Sequence, residues 1–327
     1  CALLVSCARQ SAVGLDAAKA VLADTGSVDI VSSCASAASM PEDPSLAGVG
    51  GVTFEDLDVD AARAVCEVAF AREPNDPHVA FHLSRVMRKQ HDSRWESLLI
   101  KSADAGLPIA ALVLGRDMAG STFALPQGSW GTDYVKARRY LELAIASGIY
   151  GAVLDVMPFV WLGVDGSSPR FDEAERLLAL LEQTDKLGAK NARIWGWSLH
   201  RLRLTEALAI AESNLSEVAG MRVTDVSGRL ATLVDTKARI LLELGRWDDA
   251  ETAERDAIRL GREAGEQDVC SSLQLGLILY RANRLASSKA VWDEVKLYLK
   301  TPIVRRATLA QCPEFFHGPF AIALSEG

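Results

Sequence analysis

The stretch Leu230 to Leu260, LATLVDTKARILLELGRWDDAETAERDAIRL, limits the folds open to this chain more than any other. Apolar and small residues recur at three- and four-residue intervals on both sides of Gly245-Arg246. Two amphipathic helices therefore meet at a glycine turn. Ala238, Ala250 and Ala257 stand where the helices cross, and their small side chains let the backbones approach. Leu241 and Trp247 fill the space beside them.

The remaining chain reads the same way. Ala and Leu dominate and long Val/Ile/Thr alternations are scarce, which predicts helices rather than sheet. At 327 residues the chain is long enough for two domains or one long stack of repeats. Hydrophobic residues make up 49% and charged residues 24%, the balance of a folded soluble chain. A formal net charge of -8 argues against nucleic-acid binding, which needs a basic face, and gives no support to an anionic membrane surface.

The order around Gly245 is large, small, large, turn glycine, aromatic, alanine, alanine, and it resembles a tetratricopeptide (TPR) repeat. Residues 102–148 resemble the related Sel1-like repeat. The residues that carry this likeness are Ala103, Ala105, Gly106, Ala110, Leu114, Gly115 and Gly120, then Asp133, Lys136, Ala137, Tyr140, Ala144 and Gly148. In that reading Gly106 and Gly148 end helices in the left-handed conformation, and Asp133 caps a helix. The run STFALPQGSWGT between Gly120 and Asp133 is longer than the family's turn and is expected to project from one face. Cys34 to Met87 resembles an N-terminal segment of exported alphaproteobacterial proteins that carry Sel1-like repeats.

The resemblance implies an all-α fold, an α-solenoid of antiparallel helix pairs (a Sel1/TPR-like superhelix). Residues 1–12 read as a signal-peptide remnant with a lipobox and linker, and 13–57 as an N-terminal helix and Pro/Gly loop. Residues 58–150 read as TPR/Sel1-like repeats, 151–300 as further TPR-like repeats, and 301–327 as a C-terminal cap and tail. The Pro/Gly-rich run after the Ser-rich VSSCASAAS reads as loop by composition. Asp58 or Asp60 is the expected cap of the helix that follows.

Leu4-Val5-Ser6-Cys7 looks like a bacterial lipobox with Cys7 as the lipid-bearing residue; the plainer reading is the first buried turn of a truncated domain. Cys34 precedes a loop with little apolar content to hold it, and Cys66 lies on the inward face of a helix with Ala62, Val65 and Ala69. A Cys34–Cys66 disulfide would fasten the N-terminal segment to the repeats in an oxidising compartment, against the alternative of two buried thiols. Cys312 reads as a partner of Cys270 or as a free thiol.

Catalytic and metal patterns are thin. His78 and His82 share a helix face at metal-ligand spacing, but no zincin glutamate follows and the nearest further histidine is His91. His200 stands alone. Cys312 and His317 lie in a short proline-bearing tail without a third orienting group. Asp165-Gly166-Ser167-Ser168 lacks the later ligands of a calcium loop. No Walker loop, dinucleotide fingerprint or serine elbow is present. No cofactor and no catalysis are expected. Phe123 and Trp130, in the inserted run, are the expected interface anchors, while Trp161, Trp195 and Trp197 are expected to fill the core.

These features lead to one expectation of function: a non-enzymatic scaffold of the bacterial envelope, periplasmic or lipid-anchored, that takes a peptide or protein in a groove lined by the first helix of each repeat. The alternative is an accessory repeat region of an exported enzyme whose catalytic domain lies outside this chain.

Overall fold

The computed structural model describes residues 29–43, 51–120, 132–219, 226–265, 269–301 and, near the C-terminus, 304, 305, 308 and 312–315. Fourteen α-helices and no strands are present among the described residues. They fall into two compact units, one of residues up to Met118 with 132–149, the other of Ala119, Gly120 and the residues from Tyr150 on.

The first unit contains α1 (Ile30–Ala38), α2 (Val59–Arg72), α3 (Pro77–Lys89), α4 (Arg94–Asp104), α5 (Pro108–Ala119) and α6 (Tyr134–Ala146). Helix α1 covers most of the Ser-rich VSSCASAAS. Asp29 accepts the Val31 N–H, and the hydroxyls of Ser33 and Ser36 donate to carbonyls four residues back. Once its hydroxyls turn back onto the helix in this way, a serine-rich stretch becomes compatible with one. The expected caps form: Asp58 accepts from Ala61 N–H and Asp133 from Lys136 N–H. Ala62, Cys66 and Ala69 are buried as their spacing requires.

Helix α3 is the centre of this unit and packs against α1, α2 and α4. Every residue from Val79 to Arg88 is buried, including four polar ones. The partners of Ser84, Arg85 and Arg88 explain how a helix can be buried all round. The Ser84 hydroxyl donates to the Phe81 carbonyl, and Arg85 donates to the carbonyls of Ala38 and Val52 at 2.6 and 2.8 Å. Arg88 meets Asp117 at 2.7 Å. Arg85 thus closes the C-terminal end of α1, whose last carbonyls lack helical partners.

His82 is 1% exposed, and neither ring nitrogen has a hydrogen-bond partner. Burial pushes its pKa down to about 4, with Asp43 and Asp76 opposing and His78 and Arg85 adding to the fall. The unfolded chain takes up the proton near pH 6.5 and the folded one near 4, so stability is unaffected above pH 6.5 and falls between those values. The full loss is about 3 kcal/mol by pH 4. Urea midpoints measured from pH 7 to 4 should therefore drop less in His82→Leu than in the parent; parallel curves would contradict this account.

The second unit contains α7 (Ala152–Trp161), α8 (Phe171–Leu181), α9 (Lys186–Leu199), α10 (Leu204–Ala219), α11 (Val226–Glu243), α12 (Trp247–Glu263), α13 (Val269–Arg281) and α14 (Leu285–Leu299). Each helix from α7 to α14 packs on the next in chain order. In addition, α7 touches α9, α9 touches α11 and α11 touches α13. Close approach depends on glycine at two places. A Cβ on Gly196 would overlap the Trp161 ring, and one on Gly276 would overlap the Trp292 ring.

One turn recurs in both units. A residue in the left-handed region ends a helix, and the next N–H reaches the carbonyl five residues back. It appears as Leu107 to Ser102, Ile149 to Ala144 and Arg246 to Leu241 after Gly106, Gly148 and Gly245. It appears again as Asp92 to Met87, Leu202 to Trp197 and Arg284 to Leu279, where His91, Arg201 and Asn283 take the left-handed position.

Candidate functional site

An opening lies in the second unit, on the helices that neighbour each other at every second position. Leu154, Met157 and Pro158 come from α7, and Leu187, Gly188, Asn191, Ala192 and Trp195 from α9. Helix α11 adds Arg229, Thr232, Leu233, Asp235 and Thr236, and the hollow holds about 420 Å³. Three-to-four-residue spacing on α9 and α11 is what aims each set at one side.

The floor is apolar, and Leu154 is left 44% exposed at its edge. Beneath it Leu187, Val218 and Leu233 form a small buried cluster that fixes the helices. The polar groups are few and placed. The Asn191 amide donates to the Thr236 hydroxyl at 3.1 Å, which donates in turn to the Thr232 carbonyl. The Asn191 Oδ1 atom is buried without a hydrogen-bond partner. Both carboxylates are engaged in structure: Asp185 caps Gly188 N–H, and Asp235 accepts from the Ser271 hydroxyl of α13. Arg229 stands exposed on the wall.

The opposite side of α9 carries a second hollow of about 430 Å³, lined by Trp161, Phe171, Glu175, Arg193, Trp197, Leu202 and Arg203. Its charged groups and most of its rings are engaged with one another. Arg193 pairs with Glu175 and Glu182, Arg203 lies 5.2 Å over the Trp197 ring, and Phe171 packs edge-on against His200 at 4.9 Å. A His200 ring nitrogen lies 2.7 Å from the Trp161 carbonyl. His200 is therefore a wedge between aromatic rings.

No protein-family model, curated protein or solved structure matches this chain.

The residues singled out in the sequence fare unequally. Cys34 and Cys66 stand at disulfide distance with Cα atoms 4.7 Å apart, joining α1 to α2. Cys270 and Cys312 also stand at disulfide distance, 5.7 Å between Cα atoms. Cys7, Phe123, Trp130 and His317 lie outside the described residues. The His78 and His82 rings are 6.5 Å apart, and no group of three or more His, Cys, Asp or Glu among the described residues converges to hold a metal. The hydroxyl and N–H of Ser167 bind the Asp165 carboxylate, closing a turn. Trp161 and Trp197 are buried, but Trp195 is part-exposed on the wall of the groove. Asn191 and Thr236 were missed. A lone amide and a lone threonine on separate helices carry no signal until packing brings them together.

Proposed function

We propose that this protein is a non-enzymatic binding scaffold, an α-solenoid of the Sel1/TPR kind, which takes a peptide or protein segment in the groove of α7, α9 and α11. The observation that carries this reading is the groove's composition: an apolar floor large enough for one or two side chains, with few polar groups on its wall. The neighbour pattern supports the solenoid, since each helix touches the next and every second helix touches its like. Nothing in the groove is arranged as a nucleophile with a base, and its two carboxylates are engaged in holding structure.

The resemblance of the N-terminal segment to exported proteins, with two cysteine pairs at disulfide distance, supports a place in the bacterial envelope. Lipidation at Cys7 would make it membrane-anchored. The inserted run with Phe123 and Trp130 is proposed as a second contact for the partner. An accessory role beside a catalytic domain outside this chain is the alternative, favoured by the same groove wherever its ligand proves to be that domain.

The test is capture from envelope extract by the whole chain, by Leu154→Arg, by Asn191→Leu and by a variant with residues 121–131 shortened to a plain turn. Each variant is expected to weaken capture at least about tenfold, or 1.4 kcal/mol, with an unchanged melting temperature. Equal capture by the parent and both groove variants would remove the groove from the reading, and equal capture by the shortened variant would remove the loop.

A further inference from the structure

Helix α7 carries a proline in its interior, Pro158, and both it and Leu154 line the groove. Proline has no N–H, so the carbonyl four residues back, that of Leu154, loses the donor that a helix interior supplies. The ring also crowds this carbonyl and turns it outward. In a helix the carbonyl of a residue lies on the face shared by that residue and those three and four further on. Here these are Leu154, Met157 and Pro158, and all three belong to the groove. The Leu154 carbonyl therefore faces the hollow.

The last four carbonyls of α7, which no helix satisfies internally, all have partners. Pro158 accepts from the Leu162 N–H at 3.1 Å and Val160 from the Arg170 N–H at 2.8 Å. The Arg170 guanidinium donates to the Phe159 carbonyl at 3.2 Å, and a His200 ring nitrogen reaches that of Trp161 at 2.7 Å. No donor from outside α7 reaches the Leu154 carbonyl among the described residues. A backbone acceptor in this position takes its hydrogen bond from water or from a ligand.

The charges narrow the class of ligand. Arg229 stands exposed on the wall and makes no ion pair among the described residues. Both carboxylates of the hollow already accept hydrogen bonds, Asp185 from the Gly188 N–H at 2.9 Å and Asp235 from the Ser271 hydroxyl at 3.1 Å. They repel a run of acids and leave room for a single one held at Arg229. The lining of α9 extends from Asp185 to Trp195, about 15 Å of helix, which matches roughly four or five residues of extended chain. We infer that the groove takes an extended peptide of this length by three contacts. One main-chain N–H donates to the Leu154 carbonyl, one large apolar side chain lies on the floor beside it, and one acidic side chain pairs with Arg229. Pro158 is then the residue that keeps the acceptor open. This rests on the groove reading above and adds the chemistry of its occupant.

The experiment measures fluorescence anisotropy on the whole chain with pentapeptides blocked at both ends, fluorescein at one and an amide at the other. Each holds one leucine or phenylalanine and one glutamate among alanines, in every order. The tightest binder is remade with glutamine for glutamate, and with each backbone N–H methylated in turn. Pro158→Ala returns a helix N–H to the Leu154 carbonyl and is expected to bind the parent peptide about fivefold less well. Methylation at one position is expected to weaken binding to the native chain about fivefold and binding to Pro158→Ala not at all, since the carbonyl there is already bonded. Glutamine for glutamate should cost the native chain about two- to fivefold and Arg229→Gln nothing. Each comparison is made within one protein, so it holds even where a variant differs in stability. Equal methylation losses in the native chain and Pro158→Ala at every position would overturn the use of the carbonyl. Equal glutamine losses in the native chain and Arg229→Gln would overturn the acidic contact. Binding weaker than about 1 mM by every pentapeptide would overturn the peptide class. All three failures are distinct from failure of the groove itself, which Leu154→Arg decides in the capture experiment above.

Discussion

Asp117→Ala is expected to lower the stability of the first unit by about 3–5 kcal/mol, the cost of stripping a buried charge of its counter-ion. The Arg88 and Asp117 side chains are 4% and 1% exposed, and their atoms meet at 2.7 Å. The guanidinium also lies 4.4 Å from the centroid of the buried Trp95 ring. With the carboxylate gone, Arg88 keeps its packing and loses its neutraliser in a place water does not reach. Removing both charges should be far milder, because the buried charge and its counter-charge then leave together. Arg88→Met/Asp117→Leu is expected to recover most of the loss, within the packing error of two new apolar side chains. Urea unfolding of the single and double variants checks this. A single variant within about 1 kcal/mol of the parent, the range of an exposed pair, would show that the site is wetter than its burial implies.

Loss of the Cys34–Cys66 bond should cost roughly as much, through the unfolded chain. The two cysteines are 32 residues apart, and closing a loop of that size removes entropy worth about 3–4 kcal/mol from the denatured state. The folded side adds little to that figure. Helix α1 still packs on α2 and α3, and Arg85 still holds the Ala38 and Val52 carbonyls. Accordingly Cys34→Ala/Cys66→Ala should fold to the same helix content with a lower denaturation midpoint, and reductant should not lower that midpoint further through this pair. Recovery of Cys34 and Cys66 as alkylated thiols from native protein would refute the bond, and an unchanged midpoint would refute its size.

Much of the helix content was readable residue by residue. Asp58 and Asp133 cap where their positions say, and Gly106, Gly148 and Gly245 turn the chain in the left-handed region. These effects are local, set within four residues of backbone, so a single chain carries them in plain sight. That His91, Arg201 and Asn283 take the left-handed position of the same turn was not legible, because each residue accepts the strained φ only when packing on either side demands it. Helix α1 escaped for another reason: its serines close their own hydrogen bonds on the helix, which a serine-rich composition does not announce.

The candidate groove was legible only as a tendency of first helices to face one side. Its particular chemistry was not. Asn191 meets Thr236 across 45 residues, and Glu254 is wholly buried against the Gln274 amide at 2.6 Å. Gly196 and Gly276 likewise look like weak helix formers until the rings of Trp161 and Trp292 are seen lying on them.

The sequence by itself determined that the described chain is helical, where most of its helices begin and end, and which faces carry alanine, because hydrogen-bonded turns, caps and 3.6-residue periodicity act over a few neighbouring residues. Tertiary structure alone decided which polar groups are buried and with whom, where an opening is left, and that the Cys312–Phe315 segment lies over Arg239. Those outcomes depend on pairs separated by tens of residues, and the free energy of such a pair exists only once the intervening helices have packed.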